Sequence, residues 1–122
     1  MKFRKIKLES GTHLLLGKNA GQNEELVEEF KAKDNVIMHT AEPGSPFCVI
    51  DNLKPTNKDM IASGAICAGY SQDWRDNKSD VIVHIFTGKD IRKRKGMKVG
   101  TFGVKKFKKI KVKKEHIQKW KK

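Results

Sequence analysis

The chain has 122 residues, a formal net charge of +13 and 37% hydrophobic residues, enough for one core but not for two. No apolar run approaches the roughly 18 residues that cross a bilayer, and no cleavable leader follows the basic start, so a cytoplasmic location is expected. The charge is concentrated: residues 89–122 hold 16 Lys/Arg against Asp90 and Glu115, whereas residues 1–88 hold 11 against 12 acids.

Residues 2–8 alternate basic and apolar, and Glu9-Ser10-Gly11 turns the chain into residues 12–16, which predicts a β-hairpin with Leu14-Leu15-Leu16 buried. Residues 23–31 have helical spacing in Leu26, Val27 and Phe30, with Asn19 or Asn23 as the N-cap and four glutamates in the early turns. Residues 35–40 and 47–50 read as short strands on either side of a rigid Glu42-Pro43-Gly44-Ser45-Pro46 loop. Residues 56–70 carry the clearest helix, capped by Thr56 with Asp59 three residues on. Its small residues from Ala62 to Gly69 predict close packing on a sheet. Residues 81–87 are apolar at nearly every position, as in a central strand covered on both faces. A basic loop then runs from Gly88 to Gly100, residues 101–104 and 107–112 suggest a final hairpin, and a short helix around residues 116–120 closes the chain. The expected fold is a single α+β domain: a mixed or antiparallel sheet packed against two main helices, with a basic C-terminal β-hairpin.

In that last segment Phe102, Val104, Phe107, Ile110 and Val112 interleave with lysines, so apolar residues can enter the core while lysines project outward. Protecting a sheet edge needs only one or two lysines. Nine lysines against one acid between residues 105 and 121 point instead to a polyanion, Lys105, Lys106 and Lys108 among the contacts. Arg92, Lys93, Arg94, Lys95 and Lys98 add guanidinium and ammonium groups suited to phosphate. Membrane binding favours an amphipathic helix, and this segment reads as strand, so nucleic acid is the expected partner, RNA or DNA.

The remaining chemistry-bearing residues are scattered. Cys48 and Cys67 lie 19 apart without a CxxC motif and read as buried free thiols. His13 and His116 are isolated, and His84, between Ile82 and Phe86 on one strand face, reads as a core histidine; no metal or other cofactor is expected. Trp74 is read as buried and Trp120, beside Lys119, Lys121 and Lys122, as exposed. The segment around Lys18 lacks GxxxxGK[ST], so nucleotide hydrolysis finds no support.

Four segments resemble, in order and spacing, the NFACT-R domain family, best known from large ribosome-associated quality-control factors. They are Gly17-Lys18-Asn19-Ala20-Gly21-Gln22-Asn23-Glu24-Glu25-Leu26; Asp34-Asn35-Val36-Ile37-Met38-His39 followed by Pro43-Gly44-Ser45; Ala68-Gly69-Tyr70-Ser71-Gln72-Asp73-Trp74; and Asp90-Ile91-Arg92-Lys93 with Gly96, then Gly100-Thr101-Phe102. The aromatic that the family pattern has two residues before the histidine is Ile37 here. The resemblance spans residues 10–113 and implies an isolated R module, without the N-terminal domain, helix-hairpin-helix and coiled coil of the multidomain relatives. It implies RNA binding, of the tRNA or rRNA class, with the ribosome as a further partner.

The resemblance adds an uncharged rim to the basic third. His39 is either a strand-end histidine satisfied by the main chain or an RNA contact. Gly44 lets a backbone approach closely, and the Ser45 hydroxyl can reach a phosphate or a 2′-OH. Lys18, Asn19 and Asn23 stand at a helix start, where free N–H groups favour an anion and where ordinary capping is the plain alternative. The leading expectation is a noncatalytic RNA-binding module; the alternatives are a nucleolytic enzyme using His39 near Asp34 or Asp51, and a DNA-binding or ribosome-docking adaptor.

Overall fold

Leu14, Leu15 and Leu16 are all buried because their strand lies in a sheet covered on both faces. The computed structural model describes residues 3–120. The strands are β1 (Arg4–Lys7), β2 (His13–Leu16), β3 (Val36–Thr40), β4 (Cys48–Ile50), β5 (Val81–Thr87), β6 (Ile91–Arg92), β7 (Gly103–Val104) and β8 (Lys108–Val112). Six of them form one sheet in the order β1-β2-β4-β3-β5-β8, antiparallel at each pairing, and β6 and β7 form a separate antiparallel pair.

The helices are α1 (Ala20–Phe30), α2 (Asn57–Gly69), α3 (Gln72–Asn77) and α4 (Lys114–Trp120). Strand side chains alternate between faces, and the alternation divides the core in two. On one face Leu14, Leu16, Met38, Cys48, Ile50 and Val83 meet the small-residue surface of α2, with Ile117 of α4 closing the layer. On the other, Leu15, Ile37, Val49 and Phe86 meet Leu26, Val27 and Phe30 of α1. The small residues of α2 set its approach: a Cβ on Gly64 would stand 3.4 Å from Ile110 Cδ1.

Local signals account for most boundaries. Thr56 and Asp59 form a reciprocal capping box at the start of α2. Trp74 is buried and Trp120 is exposed, as expected. Cys48 and Cys67 are free, buried thiols that both donate to the Pro46 carbonyl, at 3.8 and 3.9 Å. Burial, together with the adjacent Cys67, pushes the Cys48 pKa up.

Other expectations are corrected. Of the two expected caps, Asn19 and not Asn23 starts α1, so the helix begins at Ala20, ahead of the apolar spacing; its first turn holds no acid, so the glutamates lie too far along to act as first-turn charges. β5 is not covered on both faces throughout, since Ile82 and His84 are half-buried on a stretch that α1 does not reach. His84 is therefore not a core histidine. The basic C-terminal hairpin does not exist: β7 pairs with β6, and β8 pairs with β5, so the two halves of the supposed hairpin belong to different sheets. Phe107, read as core, is 42% exposed between them. Lys2, Lys121 and Lys122, which figured in the strand and tail readings, lie outside the described residues.

Candidate nucleic-acid interface

A cleft of about 930 Å³ opens at one end of the sheet, where the part of the α1 face that α1 leaves uncovered meets Arg4, Tyr70 and Arg75 at the sheet's rim. Its floor is built by strand ends. His39 on β3 and His84 on β5 are register partners, so their side chains stand side by side on the same face. Phe47, just before β4, stacks on His39 with ring centroids 4.2 Å apart, and it meets Phe86 and Phe102 edge-on at 6.5 and 5.6 Å.

The imidazoles in this floor are held neutral. Burial, then the repulsion that a proton on neighbouring His84 would exert, pushes the His39 pKa down to about 4, against opposing hydrogen bonds with the main chain of Ser45 and Thr40. Burial and the nearby Lys109 lower His84 in the same direction. His84 Nε2 is buried and has no hydrogen-bond partner.

Cations stand around the floor. Arg4, Lys18 and Arg75 line the cleft, and none of its described lining residues is acidic. Arg4 lies over the Tyr70 ring at 4.6 Å, and Arg75 is steadied by donating to the Tyr70 carbonyl and to Gln72 Oε1. β8 extends the positive surface: Lys109 pairs in register with His84 and Lys111 with Ile82, which puts both lysines on the cleft's face of the sheet.

One wall comes from the basic loop, through a tether that sequence inspection did not reveal. Lys93 Nζ donates to Glu24 Oε1 at 3.0 Å, to the Lys98 carbonyl at 2.6 Å and to the Thr101 carbonyl at 2.8 Å, while lying 4.7 Å from the Phe102 ring centroid. Glu24 Oε1 also accepts from Gly100 N at 2.7 Å. That main-chain bond, with Lys93, holds the Glu24 carboxyl below its ordinary pKa. Gly100 has φ +82° and its Cα packs on Ala20, leaving only 3.0 Å for a Cβ. Residues 98–102 are thus strapped to α1.

The expected site residues therefore divide. Lys18, Asn19, Asn23, His39, Gly44 and Ser45 come together around the cleft. Within it, three of the polar groups already have partners. Asn19 caps α1, Asn23 Oδ1 accepts from Phe47 N at 3.1 Å, and Ser45 Oγ accepts from Thr40 N at 3.1 Å. Asn23 and Ser45 are buried, so they shape the cleft rather than line its rim with free polar groups.

Outside the cleft, Lys93 is spent on the tether, which corrects its reading as a phosphate contact. Arg92, Arg94 and Lys105 line separate grooves, and Lys95, Lys98, Lys106 and Lys108 are exposed. The sequence reading missed Arg4, Arg75 and His84, and it assigned no individual role to Tyr70, Phe102 or Lys109, although the family-like segments hold the two aromatics and the basic third holds the lysine. A usable signal existed for Arg75, which directly follows the Ser71–Trp74 segment, but none for His84, whose direction depends on register.

The constellation for hydrolysis is not assembled. Asp34 pairs with Lys89 at 2.8 Å on the surface. Extending the β3–β4 register places Asp51 beyond the opposite end of β3, about 13 Å from His39 at the usual strand rise. Among the described residues no group of three or more His, Cys, Asp or Glu could hold a metal ion, and no helix is long and apolar enough to cross a membrane.

The family model described as NFACT protein RNA binding domain matches residues 2–106. The Rqc2 homolog RqcH of Bacillus subtilis (strain 168) is 30% identical over 91 residues, which are 75% of this chain and 16% of that protein. A solved structure, the C-terminal of the fibronectin/fibrinogen-binding protein from Streptococcus suis, superposes with a TM-score of 0.83 at 25% identity, covering 98% of this chain and 49% of that one. The chain thus spans well under two thirds of either relative's length.

Proposed function

This chain belongs to the NFACT protein RNA binding domain family, and from that premise we propose a noncatalytic RNA-binding module of ribosome-associated quality control whose principal contact surface is the cleft and the adjoining face of β8. The observation that carries this reading is the arrangement of charge: three cations line a cleft with no acid among its described lining residues, and Lys109 and Lys111 continue the sheet face that carries His39 and His84 in its floor. A phosphate backbone crossing from the rim to β8 meets successive positive groups, and it is the backbone that dominates affinity for nucleic acid.

The neutral imidazoles suit recognition better than proton transfer. With the His39 pKa near 4, the ring is unprotonated at neutral pH, and neither Asp34 nor Asp51 is near enough to serve as its partner. The uncharged floor offers ring faces and nitrogen atoms to bases or 2′-hydroxyls, while the charged rim takes phosphates. Arg92, Arg94 and Lys105 lie outside the cleft and act as secondary phosphate contacts. The RNA is of the tRNA or rRNA class, and docking on the ribosome through rRNA is part of the same reading.

Crosslinking in native cells followed by RNA sequencing tests the partner, with tRNA or rRNA fragments expected. Enrichment of messenger RNA alone, or no RNA recovered above background, would contradict that class. Incubating labelled tRNA with the protein tests the absence of catalysis: full-length tRNA is expected throughout, and cleavage lost in His39→Ala would overturn it.

A further inference from the structure

Phe107 is 42% exposed, yet one side of its ring is braced: it stacks on His84 with centroids 4.1 Å apart and 27° between planes. A single exposed phenylalanine is ordinary on a surface; one held flat against an imidazole between two basic stretches presents an oriented, open ring face. Its neighbours are Lys105, Lys106, Lys108 and Lys109, all exposed, so a protein core or a lipid tail is a poor cover. A base attached to a phosphate backbone fits both features. Its flat face matches the ring, and its phosphates reach lysines on either side. The same His84 that backs Phe107 also lines the cleft, so a strand entering the cleft passes the phenylalanine at its edge.

We infer that Phe107, backed by His84, is a stacking platform for an unpaired RNA base at the mouth of the cleft. The platform selects single-stranded segments, loops or ends over continuous duplex, because paired bases keep their faces inside the helix. The inference rests on the RNA-binding reading above and narrows it to a structural class of RNA. The rigid backing matters: a ring already packed on His84 loses little freedom when a base settles on its other face.

The test compares a single-stranded RNA of about a dozen nucleotides, carrying 2-aminopurine, with a duplex of the same length. Phe107→Ala is expected to weaken the single strand by about 5- to 100-fold and leave the duplex within about twofold. Phe107→Trp retains binding and the quenching of 2-aminopurine that stacking causes, whereas Phe107→Leu, which keeps apolar bulk without a π face, loses both. Circular dichroism of each variant, unchanged for this exposed position, separates binding from folding. Equal losses for single strand and duplex, or no loss in Phe107→Ala or Phe107→Leu, would overturn the platform while leaving RNA binding intact. A wild-type protein that binds neither RNA would overturn the underlying reading together with the platform.

Discussion

His39 and His84 are register partners across β3 and β5, and each carries an aromatic ring: Phe47 stacks on the first at 4.2 Å and Phe107 on the second at 4.1 Å. The first ring pair lies in the floor of the cleft, the second beside it where β5 meets the edge strand β8. Because the two imidazoles are neighbours in the cleft floor, a proton on either disfavours a proton on the other.

That pairing predicts a pH-dependent stability. The His39 pKa falls from 6.5 to about 4 on folding, so between those values the unfolded chain binds more protons than the folded one. The stabilisation is complete above the unfolded value and is lost as pH falls through that window, at up to about 1.4 kcal/mol per pH unit. His84 shifts in the same direction and adds to the slope. Urea denaturation at several pH values checks this; His39→Gln is expected to flatten the dependence, and an unaltered slope would place its cause elsewhere.

Lys93 and Arg94 are adjacent in sequence and are expected to behave oppositely. Lys93→Ala removes the donor shared by Glu24 and two main-chain carbonyls and costs about 1–2 kcal/mol, limited by the partial exposure of the pair. Arg94→Ala, at an exposed position, leaves the melting temperature unchanged and weakens RNA binding modestly. Thermal denaturation of the two variants distinguishes a tether from a phosphate contact.

Asn23→Ala tests whether that residue supports the cleft or touches the RNA. Its loss leaves the buried Phe47 N–H without an acceptor, a cost of about 1–3 kcal/mol. The salt dependence of RNA binding should be retained once the variant is folded. A stable Asn23→Ala protein with a flatter salt slope would instead make Asn23 a direct contact.

Much of the fold was legible where the signal was local. The Thr56–Asp59 box marked the start of α2, and the small residues after it marked its close packing on the sheet. Pairing was not legible, because alternating apolar residues declare a strand without naming its partner. Phe102 and Val104 looked like the near half of a hairpin with Ile110 and Val112, yet Val104 pairs with Ile91, and Val112 pairs with Val81 more than thirty residues earlier. The same long-range register turns His84 toward the cleft and Lys109 beside it. Lys93 was misread for a related reason: its role depends on Glu24, 69 residues away.

The site was half visible. The segments containing Lys18, His39 and Gly44-Ser45 converge on one cleft. What composition could not supply was the division of labour within the basic third, where a lysine facing the cleft and a lysine facing away have the same letter.

The most direct measurement is the salt dependence of RNA affinity for two charge-matched double variants. Lys18→Gln with Lys109→Gln removes two cations from the cleft face, and Arg92→Gln with Arg94→Gln removes two from the loop outside it. The cleft pair is predicted to flatten the logarithmic slope by about 0.7–0.9 for each phosphate no longer neutralised, and the loop pair by less. An equal or larger change in the loop pair, with the cleft pair near wild type, would contradict the cleft as the principal RNA surface.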